Sequence, residues 1–112
     1  MFLAGSHREL TAHFNALANP TRLRILQRLG QVGEESVNDL AVNLRVSQPR
    51  ISWHLRLLRF GGLVKTRRTG RQVYCSVDTE SIGRYYAELR RMLGLAPAPS
   101  NQEVKAFAPA EE

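Results

Sequence analysis

The chain has 112 residues, with 16 Lys and Arg against 10 Asp and Glu, a formal net charge of +6. Its 43% apolar and 23% charged residues suit one globular domain with a short tail and exclude a wholly disordered chain. No apolar run approaches the ~20 residues that span a bilayer, Met1–Ser6 lacks a signal-type leader, and the lone Cys75 excludes both an internal disulfide and a Cys-x-x-Cys zinc site, so a cytoplasmic protein with no membrane partner is expected.

The charge is segregated. Between Leu40 and Val77 there is no acidic residue, while Arg45, Arg50, Arg56, Arg59, Lys65, Arg67, Arg68 and Arg71 are basic. The remainder of the chain holds 8 basic residues against 10 acidic ones, so the whole positive excess lies in this third. Such a block points to a polyanion as partner.

In chain order, Leu10, Phe14 and Leu17 form one stripe and predict a helix over 7–18. Asn19-Pro20 restarts the chain as cap and first helical residue of a second helix over 20–29, with Leu23, Ile25, Leu26 and Leu29 facing a core and Gly30 and Gly33 ending it. Ser36-x-x-Asp39 opens a third helix to Leu44, with Val37, Leu40, Ala41 and Leu44 inward. After the turn Arg45-Val46, Ser47 caps a fourth helix over 48–60, with Pro49 tolerated in its first turn and Gly61-Gly62 as its stop. Two strand-like segments, 63–68 and 71–77, flank Thr69-Gly70, a weaker hairpin signal than Asn-Gly and compatible with a turn longer than two residues. In the second of them Val73, Cys75 and Val77 alternate with polar positions, which makes Cys75 a small buried apolar residue. Asp78 or Thr79 caps a fifth helix to about Leu93, with Ile82, Tyr85 or Tyr86, Leu89 and Met92 or Leu93 on its stripe. From Leu95 the chain turns to Ala and Pro, and 95–112 is expected to be a largely disordered tail beyond a domain spanning 1–94.

Two short helices joined by a tight turn and followed by a basic hairpin make a winged helix-turn-helix, so the expected fold is mainly α with a small β-hairpin wing and about five helices. A helix ~10–12 Å across fits the major groove of duplex DNA, and a wing beside it reaches backbone or minor groove. On the fourth helix Ile51, Leu55 and Leu58 share the core side, while Pro49, Trp53, Arg56 and Phe60 project away from it. Ser47, Gln48, Arg50 and Ser52 lie in the N-terminal half, where recognition helices touch bases; Gln pairs bidentately with adenine and Arg with guanine. Trp53 reads either as a contact to thymine methyls and sugar or as a rim covering the core. His54, at the edge of the core stripe, reads either as a phosphate donor or as a boundary histidine with a satisfied ring. Arg68 and Arg71 beside Gly70 place two cations at a wing tip, where phosphate contact outweighs a plain solvated turn.

Residues Ala16-Leu17-Ala18-Asn19-Pro20-Thr21-Arg22-Leu23-Arg24-Ile25-Leu26, then Ser47-Gln48 and Ser52 through Leu58, then Gly62-Leu63-Val64 with Arg68-x-Gly70-Arg71 and Tyr74, resemble the ArsR/SmtB family of winged-helix regulators over about 8–93. The resemblance implies a prokaryotic homodimer, usually a repressor, bound to an inverted-repeat operator in double-stranded DNA. It also implies a dimer interface from the first and last helices, here Leu10, Phe14, Leu17, Ile82, Tyr85, Tyr86, Leu89 and Met92, of which some must serve the chain's own core. The family's metal-sensing motifs are not matched. Ser36-Val37-Asn38 stands in place of Cys-Val-Cys, Asp78-Thr79-Glu80 in place of Asp-x-His, and Arg91 and Gly94 in place of two later histidines. Pro49, Trp53 and Phe60 also replace smaller or polar residues of the family's recognition helix. His7 and His13 lie 240° apart on their helix and are poorly placed to share one ion. No metal, cofactor or catalytic residue is therefore expected, and the sequence does not name an effector. Ser52 and His54 point 200° apart and form no catalytic pair. The alternative to DNA binding is a protein- or RNA-interaction module using the apolar stripe Pro49-Trp53-Leu57-Phe60.

Overall fold

The computed structural model describes residues 6–97. Their elements are α1 (Ser6–Leu17), α2 (Pro20–Val32), β1 (Glu34–Ser36), α3 (Val37–Leu44), α4 (Gln48–Phe60), β2 (Val64–Thr69), β3 (Gln72–Val77) and α5 (Thr79–Met92). The expected tail falls almost wholly outside the described residues.

Each helix after the first begins at a polar cap. Asn19, Ser36, Ser47 and Asp78 accept from the backbone N–H of Arg22, Asp39, Arg50 and Ser81 at 3.0, 3.1, 3.4 and 3.1 Å. Each satisfies a donor that the helix cannot, worth about 1 kcal/mol. Gly30 does not end α2: the helix runs three residues past Leu29 and stops at Gly33, whose N–H reaches Leu29 O. Arg45 closes α3 in the left-handed conformation (φ +57), and the chain turns directly into α4.

The wing is a hairpin with a two-residue loop. Thr69 pairs with Gln72, so the loop is Gly70-Arg71, one residue later than the sequence suggests and no longer than two. Gly70 has φ +61 at the first loop position, where a right-twisted hairpin needs a positive φ and glycine supplies it without steric cost. The sheet also has a third strand, which the sequence does not signal. Glu34–Ser36 pairs antiparallel with β3, giving the order β1-β3-β2. Three residues with two glutamates carry no strand periodicity, and only the free edge of β3 makes them a strand.

The core gathers Ile25 and Leu29 of α2, Leu40 of α3, Ile51, Leu55 and Leu58 of α4, Leu63 just before β2, and Val64 and Cys75 of the sheet. The α2 stripe departs from the expected one. Leu23 is 51% exposed, and Arg22, one residue earlier, is buried at 8% on the same face as Ile25 and Leu29. Its guanidinium donates from Nε to Ala16 O (2.7 Å) and from the two terminal nitrogens to Asn15 O and His54 Nδ1 (both 3.3 Å). It thereby satisfies the last carbonyls of α1 and reaches α4, a task a leucine cannot perform.

The far end of α4 is held by α1 and α5. His13 of α1 is buried, donates from Nδ1 to Gly61 O at 2.7 Å, and stacks on Tyr85 of α5 at 4.1 Å and 15°. A Cβ on Gly61 would lie 3.0 Å from Ala12 O, and one on Gly62 (φ +75) would lie 2.7 Å from Ser81 Oγ and 2.8 Å from Tyr85 Cε2. The pair of glycines therefore lets the chain pass between the two helices.

Candidate nucleic-acid interface

Four residues of α4 that share a helical face, Gln48, Ser52, Arg56 and Arg59, look across a cleft of about 250 Å³ at Arg71 and Gln72 of the wing. Leu55, Val73 and Cys75 are among its apolar lining, and no acidic residue lines it. Gln48 donates to Ser52 Oγ at 3.1 Å, so these two side chains present a linked pair of polar groups one turn apart. Burial pushes the Cys75 thiol up to about 11, which makes it an inert apolar residue in this cleft.

Of the eight basic residues in the acid-free segment, Arg67 alone forms an ion pair among the described residues. Its guanidinium grips Glu34 with two bonds (3.1 and 2.7 Å) and lies 4.7 Å from the Tyr74 ring centroid. The bond from Arg67 holds the Glu34 carboxyl below its usual range. Arg67 thus anchors the wing to β1, while Arg50, Arg56, Arg59, Arg68 and Arg71 carry exposed charge without an acidic partner. Like Arg67, Arg28 is committed: it clasps Glu35 at 2.8 and 2.8 Å, and Asn43 donates to the same carboxylate. These pairs tie α2, β1 and α3 together behind the cleft.

Ser47, Gln48, Pro49, Arg50, Trp53 and Arg56 are exposed along α4, with Ser52 half-buried, and Arg68, Gly70 and Arg71 are exposed at the wing. Trp53 is 53% exposed and packs edge-on against the buried His54 at 5.0 Å, so most of its ring faces outward. His54 does not join the exposed set. It is buried at 4%, and its Nδ1 accepts from Arg22. Burial, then the charges of Arg22 and Arg50, hold its pKa below the usual histidine value. The neutral ring, with Nδ1 as acceptor, is therefore the form that the fold requires, and reading it as a phosphate donor is corrected to reading it as a satisfied histidine. The apolar stripe also divides. Pro49 and Trp53 stay on the outward face, whereas Leu57 and Phe60 border a separate groove against α1.

Arg59 and Gln72 also line the cleft, although the sequence does not mark either as a contact. The only signal for Arg59 is the helical spacing Gln48-Ser52-Arg56-Arg59, whereas Gln72 has no local signature. Of the stripe on α1 and α5, Leu10 is buried within the chain and Leu17 and Ile82 pack on its core, while Tyr85 and Leu89 are half-buried. Phe14, Tyr86 and Met92 remain exposed, and Leu93 joins them. Among the described residues no group of three or more His, Cys, Asp or Glu could hold a metal ion, and no helix is long and apolar enough to cross a membrane.

Residues 19–66 match the family description "Bacterial regulatory protein, arsR family". The chain is 41% identical over 81 residues to a transcriptional repressor SmtB homolog of Synechocystis, covering 72% of this chain and 61% of that protein. It is 48% identical over 61 residues to the arsenical resistance operon repressor of Escherichia coli, covering 54% of this chain and 52% of that protein. The match thus spans about half to three-fifths of the length of these curated relatives. Among solved structures, the homodimeric winged helix-turn-helix DNA-binding domain of a Mycobacterium bovis protein superposes with a TM-score of 0.66 at 32% identity, covering 81% of this chain and 83% of that one. These relatives are named as repressors and as a DNA-binding domain, not as enzymes.

Proposed function

This chain belongs to the ArsR/SmtB family of winged-helix regulators, and on that premise we propose that it binds double-stranded DNA in a sequence-specific manner, as a cytoplasmic homodimer on an inverted repeat, and represses transcription by occluding the promoter. The observation that supports this reading above all is the acid-free cleft between α4 and the wing, with Arg56, Arg59 and Arg71 on its walls and Arg50 and Arg68 exposed nearby, none of them paired to an acid. Free cations along a helix of groove width are the electrostatic match to two rows of phosphates.

In this reading α4 enters the major groove. Gln48, Arg50 and Ser52 read base edges, with Gln48 suited to adenine and Arg50 to guanine. Pro49 and Trp53 make apolar contact with thymine methyls and sugars. Ser47, at the helix N-terminus, and Arg56, Arg59, Arg68 and Arg71 bind phosphates. Gly70 lets the backbone of the wing tip approach the duplex. Phe14, Tyr86, Met92 and the half-buried Leu89 and Tyr85 form the contact between two copies, which sets the two α4 helices about one helical turn, ~34–36 Å, apart. Repression does not depend on a metal ion in this reading, since the positions of the family's metal ligands hold Ser36, Asn38 and Glu80.

Selection of duplexes from a randomised library tests the proposal. The expected product is an inverted repeat whose half-site centres lie ~10 base pairs apart, with binding that weakens steeply as salt rises. Enrichment of no sequence, or salt-insensitive binding, refutes it and favours an interaction module instead.

A further inference from the structure

On the side of α4 away from the wing, α1 and α4 enclose a groove of about 430 Å³. That lies within the ~300–1,000 Å³ typical of small-molecule clefts. Ala12 and Ala16 of α1 face Leu57 and Phe60 of α4 across it, and Phe60 is 78% exposed. The charged members of the lining are Arg8, which is exposed, and Arg22, which is buried; no acid lines the groove.

Arg22 is the unusual member. A buried guanidinium is ordinarily matched by a carboxylate, because an uncompensated buried charge is costly. Here all three acceptors of Arg22 are neutral: Ala16 O, Asn15 O and the imidazole of His54. Each of the three guanidinium nitrogens has a partner, but none of those partners carries a negative charge. An apolar slot with one buried and one exposed arginine, and no negative charge, is complementary to a molecule that is part hydrocarbon and part anion.

We propose that this groove binds a small amphipathic carboxylate, and that its occupancy weakens DNA binding. The second half rests on the DNA-binding reading above; the first does not. The carboxylate pairs with Arg22 and Arg8, and charge-assisted bonds of this kind outcompete bonds to neutral acceptors. Arg22 is thereby drawn from His54 Nδ1, the bond that links α4 to the junction of α1 and α2. The apolar part lies between the two alanines and Leu57 and Phe60, and separates the C-terminal half of α4 from α1. Both changes alter the pose of the helix that carries the free arginines.

The test uses the full chain and octanoate as probe, followed by the fluorescence of Trp53, the single tryptophan, which lies one turn before Leu57. Without DNA, octanoate is expected to give a saturable change, with octan-1-ol binding about tenfold more weakly for want of the charge. Arg8→Glu should weaken octanoate by a similar factor, and Ala12→Leu should block the groove. In a gel shift, octanoate should lower the DNA affinity of the parent chain and leave that of Ala12→Leu unchanged. Absence of saturable binding, equal binding of the alcohol, or unaltered binding by both variants overturns the site. If instead Arg8→Glu shifts the monomer–dimer equilibrium and octanoate never binds, the groove belongs to a second copy and the proposal falls. Saturable binding without any change in DNA affinity overturns the regulatory half. A chain that takes octanoate yet selects no duplex refutes the proposed function while supporting the groove.

Discussion

Two arginines of the wing, four residues apart, should behave oppositely in a salt titration. Arg71 lines the cleft beside α4 with no acidic partner, whereas Arg67 is committed to Glu34 by two hydrogen bonds and covers Tyr74. Each phosphate neutralised by a protein cation contributes about 0.9 to the slope of log K against log salt. A homodimer uses Arg71 twice, so Arg71→Ala should reduce the slope by about 1.8. Between roughly 50 and 200 mM salt, a fourfold change, that difference amounts to about a tenfold smaller loss of affinity than the parent chain suffers. Arg67→Ala should lower affinity by loosening the wing while leaving the slope intact, because the lost partner is a carboxylate and not a phosphate. Fluorescence anisotropy with a labelled duplex of the selected sequence measures both. Equal flattening by the two variants, or an unchanged slope for Arg71→Ala, would show that the ion pair of Arg67 does not persist on DNA or that the wing tip does not touch it.

Arg50→Ala should relax preference at one base position by about 1–3 kcal/mol, where loss of a phosphate contact would weaken all sequences alike; competition among single-base variants of the site distinguishes the two. Gly62→Ala should destabilise the chain by about 2–4 kcal/mol in urea unfolding, combining the strain of a positive φ with the overlap of its Cβ with Ser81 and Tyr85; a shift under 1 kcal/mol would mean that α5 moves aside freely. His13 and His54 both have pKa values lowered by burial, the first opposed by its bond to Gly61 O and the second lowered further by Arg22 and Arg50. The unfolded chain therefore binds protons first as pH falls. Their contribution to stability should be complete above the unfolded value of about 6.5 and decline as pH drops through the lower folded values. Thermal melts from pH 8 to 5 should show a decline below about 6.5 that His54→Gln, which still offers Arg22 an acceptor, makes shallower.

The fold was legible wherever a signal is local. Ser36 and Ser47 announce α3 and α4 because a cap needs only a side-chain oxygen and the N–H three residues on. Ile51, Leu55 and Leu58 reveal the buried face of α4 because 3.6 residues per turn is a property of the helix alone. The segregation of charge between Leu40 and Val77 locates the cationic surface from composition alone. What the sequence could not rank is which members of that surface are free. Arg67 reads as one more wing cation until Glu34, 33 residues earlier, is brought beside it by the pairing of β1 with β3. Leu23 reads as inward and Arg22 carries no local signal, until the end of α1 and His54 of α4 supply acceptors that bury the guanidinium and leave the leucine outward. His54 itself sits at the boundary of two faces, where periodicity is silent and its partner decides. The sequence by itself determined the helices, their caps, the core stripe and the location of the positive charge, because periodicity, capping and composition act within a few residues. Only the tertiary structure decided which charges are spent on pairing and which remain to meet a ligand, because an ion pair or a buried hydrogen bond depends on distance in space and not along the chain.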